Sequence, residues 1–328
     1  MPFSDSSTPD PRPKKKLELF LTMILIIMPI ITALVVSNYV PGDGSSHNNM
    51  QSSVATWADV ERVVGIKGAG HTGGIFTISL PRDDMAVTIG DVVLDREIGL
   101  DSWISFRGMG DMSMMMGDLV LTAPELRIVQ RDLQHTGINI TAIHTTLIGE
   151  APQVYDLHIE GMGDPIGMAG AIMNATRSAG VSYSSRIAGP APESWPDKAS
   201  IDGIIGAEGS IEGRILSYSI PRTNPVTADG MVLPSDWDVA TKLKLQPLPD
   251  HTAAAAGEFV LTAGEVSPVI RALNDNGITV TALHSHMLTE EPRLFYLHFW
   301  AVGNRTKLAR GLHDAISQTG SGSYVQGQ

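Results

Sequence analysis

The chain is built twice. Residues 117–176 align without a gap on residues 257–316, at a constant offset of 140. GDLVLTAPELRIVQRDLQHTGINITAIHTT in the first stretch answers GEFVLTAGEVSPVIRALNDNGITVTALHSH in the second. The match continues upstream, less cleanly, through Ser79-Leu80-Pro81-Arg82 and Ser219-Ile220-Pro221-Arg222, and to VVGIKG and IIGAEG. Solenoid repeats run to roughly 20–50 residues, so a unit this long is a duplicated domain. A length of 328 residues suits two such domains. The boundaries read as 55–187 for the first repeat, 188–200 for a Pro/Ser/Ala linker, and 201–320 for the second.

Each copy patterns the same way. Ile75–Leu80 and Ile215–Ile220 read as strands, and strand patterns continue through Trp103–Phe106 and Met112–Leu121. A helix follows, apolar at Leu126, Val129 and Leu133, or at Val266, Val269, Ile270 and Leu273. Thr122 with Glu125, and Thr262 with Glu265, supply the capping-box pattern at its start, and Gly137 or Gly277 ends it. A hairpin comes next, Ile138–Leu147 with Val154–Glu160, or Ile278–Met287 with Leu294–Trp300. The closing helix carries Met168, Ile172 and Ala175, or Leu308, Leu312, Ala315 and Ile316. The order β-α-β-β-α predicts an α+β fold: a duplicated domain, each copy a mainly antiparallel sheet with helices on one face and a ferredoxin-like core.

The N-terminus carries a different signal. Residues 17–36 read LELFLTMILIIMPIITALVV, with one charge, and three lysines precede them. A spanning helix needs about 20 apolar residues and a signal-peptide core about 7–15. The pattern predicts a basic cytoplasmic tail over 1–16, a signal-anchor or cleaved signal over 17–37, and a polar linker over 38–54. Lys14–Lys16 place that tail inside and the repeats outside. The protein is then membrane-anchored through residues 17–36 with extracytoplasmic domains, or secreted if 1–37 is removed.

Composition excludes several classes. The chain has no cysteine, which removes disulfides, thiolate zinc sites and a lipid-modified Cys. Its formal net charge is −12, and Arg12, Lys14, Lys15 and Lys16 crowd the extreme N-terminus, so no nucleic-acid footprint is present.

The hairpin is where chemistry can sit. Residues i and i+2 of a strand share a face, so His284 and His286 point the same way. A turn centred on Glu291 sets His284 across from His298 and His286 across from Tyr296. One face then shows His284, His286, Tyr296, His298 and Trp300, with Ile278, Val280 and Ala282 behind them. The other face, with Leu283, Met287, Phe295, Leu297 and Phe299, is expected under the helices. Three imidazoles on one rigid hairpin suit a divalent ion, zinc foremost, with a fourth position open. Such binding fades as pH falls through about 6.5. In the first copy His144, His158 and Asp156 form a possible second site, with Thr146 in place of His286. Purely hydrogen-bonded, structural histidines are the competing reading.

Other residues rank lower. Glu290, in the hairpin turn, is a candidate acid–base residue. Arg82 and Arg222 could grip an anionic ligand group, although a structural ion pair accounts for them more simply. Tyr296 and Trp300 could line a ligand. The methionines around 109–116 allow a soft-metal site, but apolar filling suffices.

ALHSHMLTEEPRLFYLHFW, together with GEFVLTAGEV before it, resembles the LppY/LpqO family of bacterial envelope proteins. The likeness covers both copies and implies an envelope location. Its namesakes are lipoproteins, and that mode of anchoring does not carry over to a chain without cysteine. Three functions stay open: a membrane-tethered module binding a divalent metal or small ligand, a zinc-type hydrolase using His284, His286 and His298 with Glu290 as base, and a purely structural envelope protein.

Overall fold

The computed structural model describes residues 56–183 and 195–321. The first repeat runs α1 (Trp57–Val64), β1 (Ala69–His71), β2 (Ile75–Pro81), β3 (Thr88–Ile89), β4 (Val92–Val93), β5 (Asp101–Met109), β6 (Met112–Thr122), α2 (Ala123–Leu133), β7 (Ile138–His144), β8 (Glu150–Ala151), β9 (Val154–Gly163) and α3 (Pro165–Ser178). The second runs α4 (Lys198–Ile205), β10 (Ser210–Glu212), β11 (Ile215–Pro221), β12 (Val226–Ala228), β13 (Met231–Leu233), β14 (Ala240–Leu248), β15 (Thr252–Leu261), α5 (Ala263–Asp275), β16 (Thr279–His284), β17 (Phe295–Asn304) and α6 (Arg305–Ile316). The expected strand–helix–hairpin–helix order is present in both copies.

Each copy builds one six-stranded sheet, ordered β1-β2-β5-β6-β9-β7 and β10-β11-β14-β15-β17-β16. Every pairing in them is antiparallel. The capping boxes form as read: the Thr122 and Thr262 amides donate to Glu125 and Glu265 at 2.7 and 2.6 Å. Two short helices, α1 and α4, open the repeats where the sequence pattern marks none. The second of these corrects the linker, since residues 198–200 belong to a helix. Trp195 is tied down just before it, its indole N–H donating to the Arg214 carbonyl at 2.9 Å.

Helices cover one face of each sheet. Ile78, Ile104, Leu119 and Leu157 pack with Val60, Val129 and Ile172 in the first repeat. Ile220, Leu243, Phe259 and Leu297 pack with Ile201, Val269 and Leu312 in the second. The opposite faces meet each other, so the two repeats form one compact unit. A loop from each copy reaches across: Trp237 packs with Ile75, Met114 and Met116, and Ile98 packs with Ile215 and Ala256. The methionine run is apolar filling. Met114 and Met116 enter the core between the repeats and Met115 the helix-side core, so alternation keeps them from converging on one ion.

The glycine heading the GDL and GEF motifs has a steric cause. A Cβ at Gly117 would meet the Trp103 carbonyl at 2.9 Å, and one at Gly257 would strike the Lys242 carbonyl. Residues 1–55, with the apolar segment 17–36, lie outside the described residues. Among the described residues no helix is long and apolar enough to cross a membrane.

Candidate metal centre

Strand pairing lays the same polar row across both inner faces. In the first repeat it runs Ser79, Trp103, Asp118, His158 across β2, β5, β6 and β9. In the second it runs Ser219, Lys242, Glu258, His298 across β11, β14, β15 and β17. Asp118 and Glu258 went unread in the sequence, yet each is an acid inside an apolar strand at matching positions of GDLVLTA and GEFVLTA. That coincidence was the available signal.

The hairpin register differs from expectation by two residues. His284 lies across from Tyr296, and Ala282 across from His298. The cause is a bulge between Val280 and Ala282, matched between Ile140 and Ala142. A bulge inserts an unpaired residue and turns the strand over. Ile278 and Val280 therefore face the helices instead of sharing the histidine face. Leu283 is 44% exposed because β16 is an edge strand, and Met287 joins the core between the repeats. Ile143 and Leu147 depart in the same ways in the first copy.

The two histidine sets, expected as separate sites, come together. His144 and His284 stack with ring centres 3.5 Å apart, and His158 and His286 at 3.8 Å. The Nε2 atoms of His144 and His158 are 2.9 Å apart, as are those of His284 and His286. One ring nitrogen from each of His144, His284, His286 and His298 lies within 4.8 Å of the other three. His158, Asp238 and His286 form a second such group on the same imidazole.

His286 is the best-held of them. Its Nδ1 meets Asp238 Oδ2 at 2.8 Å, which fixes the tautomer whose Nε2 is unprotonated, the form that can ligate a metal in place of its contact with His284. Lys242 bridges Asp238 and Glu258 at 2.7 and 2.9 Å. Tyr296 stacks under His286 at 3.6 Å and donates its hydroxyl to the Asp238 carbonyl. Asp156 accepts from Thr146 and sits 3.8 Å from His144 Nδ1, so it flanks the cluster.

Burial sets the charge states. It holds His284 and His298 down at about 4, and it lowers His144, His158 and His286 as well, with the neighbouring imidazoles adding to the effect on His144 and His286. Burial pushes Asp156 up to about 8 and raises Asp118, helped by the charges of Asp238 and Glu258 on the latter. Burial opposes charge on Lys242, but Asp238 and Glu258 outweigh it and keep the ammonium protonated. At neutral pH the cluster is five neutral imidazoles beside one ammonium shared by two carboxylates. Neutral imidazole is the ligating form. Hydrogen bonding among the rings leaves His144 Nδ1, His284 Nδ1 and His298 Nε2 buried without partners.

The remaining expected residues lie elsewhere. Glu290 caps its own turn, accepting from the Leu294 amide at 3.0 Å and pairing with Arg293. Arg82 spends its donors on Asp84, Glu125 and the Val120 carbonyl, and Arg222 on Glu265 and the Val260 carbonyl. Both are ion pairs to the capping glutamates; all of the Arg82 nitrogens are engaged, while Arg222 Nε is buried without a partner. Trp300 packs with Ala256 in the core between the repeats. A cavity of about 460 Å³ reaches the cluster, lined by His144, His158, His286 and His298 among others, and by none of Glu290, Arg82, Arg222 or Trp300.

A family model described as Domain of Unknown Function (DUF1259) matches residues 58–178 and again 199–318. The chain belongs to the DUF1259 family. One match falls on each repeat, so the duplication is a tandem of DUF1259 domains. No curated protein matches the chain. Among solved structures, a trimeric bacterial microcompartment shell protein, PduB, is 13% identical, with 76% of this chain and 89% of that chain covered and a TM-score of 0.18. EtuB from Clostridium kluyveri is 11% identical over the same shares, also at 0.18. A TM-score that low does not establish a shared fold.

Proposed function

We propose that this DUF1259 protein is a membrane-tethered, extracytoplasmic module of LppY/LpqO type that binds one divalent metal, zinc foremost, between its repeats. The observation that carries the metal is the gathering of four histidines from both copies, with ring nitrogens within 4.8 Å of one another. Zinc takes imidazole nitrogens at about 2.0–2.1 Å in a tetrahedron, which small side-chain rotations of such a group can supply. His144, His284, His286 and His298 would hold the ion, and Asp238 would orient His286 from behind. A metal also gives the buried His298 Nε2 a partner.

Full chain stripped with a chelator, then dialysed against zinc, is expected to retain one ion per chain by elemental analysis. Retention of none removes the reading. Protons and metal compete for the same nitrogens, so a depressed imidazole pKa moves the competition to lower pH. Because burial holds His284 and His298 near 4, bound zinc is expected to persist at pH 5 and to leave as pH falls through about 4. Loss centred at about 6.5, the value of a free imidazole, would mean that the ion sits on exposed histidines instead.

The tether rests on the apolar run at 17–36 behind Lys14–Lys16. Protease added to intact cells is expected to digest both repeats, and full protection would count against it.

A further inference from the structure

The cavity extends well beyond the histidines. Its buried end is formed by His158, His286 and His298, while Ser79, Ser219 and Glu212 at the other end are exposed. Between them the two sheets present hydroxyls to each other. In the first repeat Thr77 and Ser105 face across β2 and β5 and satisfy one another, Oγ1 to Oγ at 2.6 Å. Ser217 takes the place of Thr77 in the second repeat and faces Lys244, whose ammonium is turned to the Glu97 carbonyl. Ser217 is 93% buried and lines the cavity, and its buried hydroxyl has no partner. An unsatisfied buried hydroxyl destabilises the fold, a cost relieved when a ligand supplies the missing bond.

The charge pattern narrows the ligand. Both lysines in the wall are occupied, Lys242 by two carboxylates and Lys244 by a carbonyl, so an anion finds no free cation. Asp238 and Glu258 share the Lys242 ammonium, and Asp156 accepts from the Thr146 hydroxyl. These carboxylates are engaged within the protein before a ligand arrives. Hydroxyl-rich walls and the half-buried indole of Trp103 remain. Aromatic faces pack against the C–H faces of sugar rings while polar side chains bond their hydroxyls. The volume of about 460 Å³ falls within the ordinary range of small-molecule sites, about 300–1,000 Å³.

We propose that the cavity binds a neutral polyhydroxylated molecule, a sugar or polyol, with its hydroxyls against Ser217 and its apolar face against Trp103. This goes beyond the metal reading and does not depend on it. The test is calorimetric titration of the full chain, zinc-loaded and chelator-treated, with glucose, sorbitol, citrate and spermidine as probes. Glucose or sorbitol is expected to saturate, and citrate and spermidine to bind more weakly. Ser217→Ala is expected to weaken that polyol about threefold to tenfold, while its melting temperature holds or rises because an unpaired hydroxyl is gone. The proposal is overturned if neither polyol saturates, if citrate or spermidine binds more tightly, or if Ser217→Ala binds the polyol as the parent does. A Ser217→Ala protein that melts earlier would also count against it, because the hydroxyl would then have a partner within the protein. Polyol binding without zinc retention would sink the metal reading alone.

Discussion

Cut to its first repeat, residues 56–183, the chain is expected to dimerise or aggregate and to melt well below the full-length protein. The reason is the face each sheet turns away from its helices. Ile75, Met114 and Met116 are buried only with the help of Trp237, Val226 and Leu233 from the second repeat. Val87, Ile98 and Leu100 depend likewise on Ile215 and Ala256. Fully burying one such side chain contributes about 1.5–3 kcal/mol, so exposing six removes stabilisation comparable to a domain's whole margin of about 5–15 kcal/mol. Polar ties would be lost too, including the Arg214–Asp95 pair at 2.9 Å and the bond from Gln246 to the Val93 carbonyl. Size-exclusion chromatography with thermal melts reads the outcome. A monodisperse monomer as stable as the full chain would show that the repeats are independent beads.

The interdependence explains what could be read in advance. Capping boxes and helix-side apolar stripes are local, and they appear in the structure as the sequence marks them. The duplication was equally plain, because an offset of 140 requires no knowledge of contacts. The bulge at Thr281 was not, since an extra residue in an edge strand leaves no mark on a short alternation of apolar and polar positions. Nor was the meeting of the two histidine faces. A single repeat shows three imidazoles or two, and nothing in either says that they share a centre. The recruitment of Asp238 and Lys242 depends on loop and strand positions some 40 residues before the hairpin, whose neighbourhood only the folded sheet reveals. Arg82 and Arg222 mislead for the opposite reason. A recurring arginine after a recurring proline looks like recognition, yet its partner is the equally recurrent capping glutamate.

Replacing His286 by threonine, the residue its counterpart Thr146 already is, is expected to weaken zinc binding by at least about a hundredfold, or 2.7 kcal/mol. His286 alone belongs to both groups of clustered ligand atoms. It is also the only member of the four-histidine group hydrogen-bonded to a carboxylate, through Asp238. A ligand held in its binding tautomer loses little freedom on coordination, so its removal costs more than that of a loosely placed imidazole. Asp238→Asn keeps the side-chain shape and alters the hydrogen bond, and is expected to cost about 10–100-fold while leaving all four imidazoles in place. His144→Ala also weakens binding, because His144 belongs to the same four; a site confined to the second repeat would be indifferent to it. His135, exposed after α2 and not among the residues lining the cavity, is the control, and His135→Ala should bind as the parent does. Competition against a chromophoric chelator measures each affinity, with circular dichroism confirming that the variants fold. Equal affinities for the parent and His286→Thr would identify the cluster as a hydrogen-bonded stack that needs no ion.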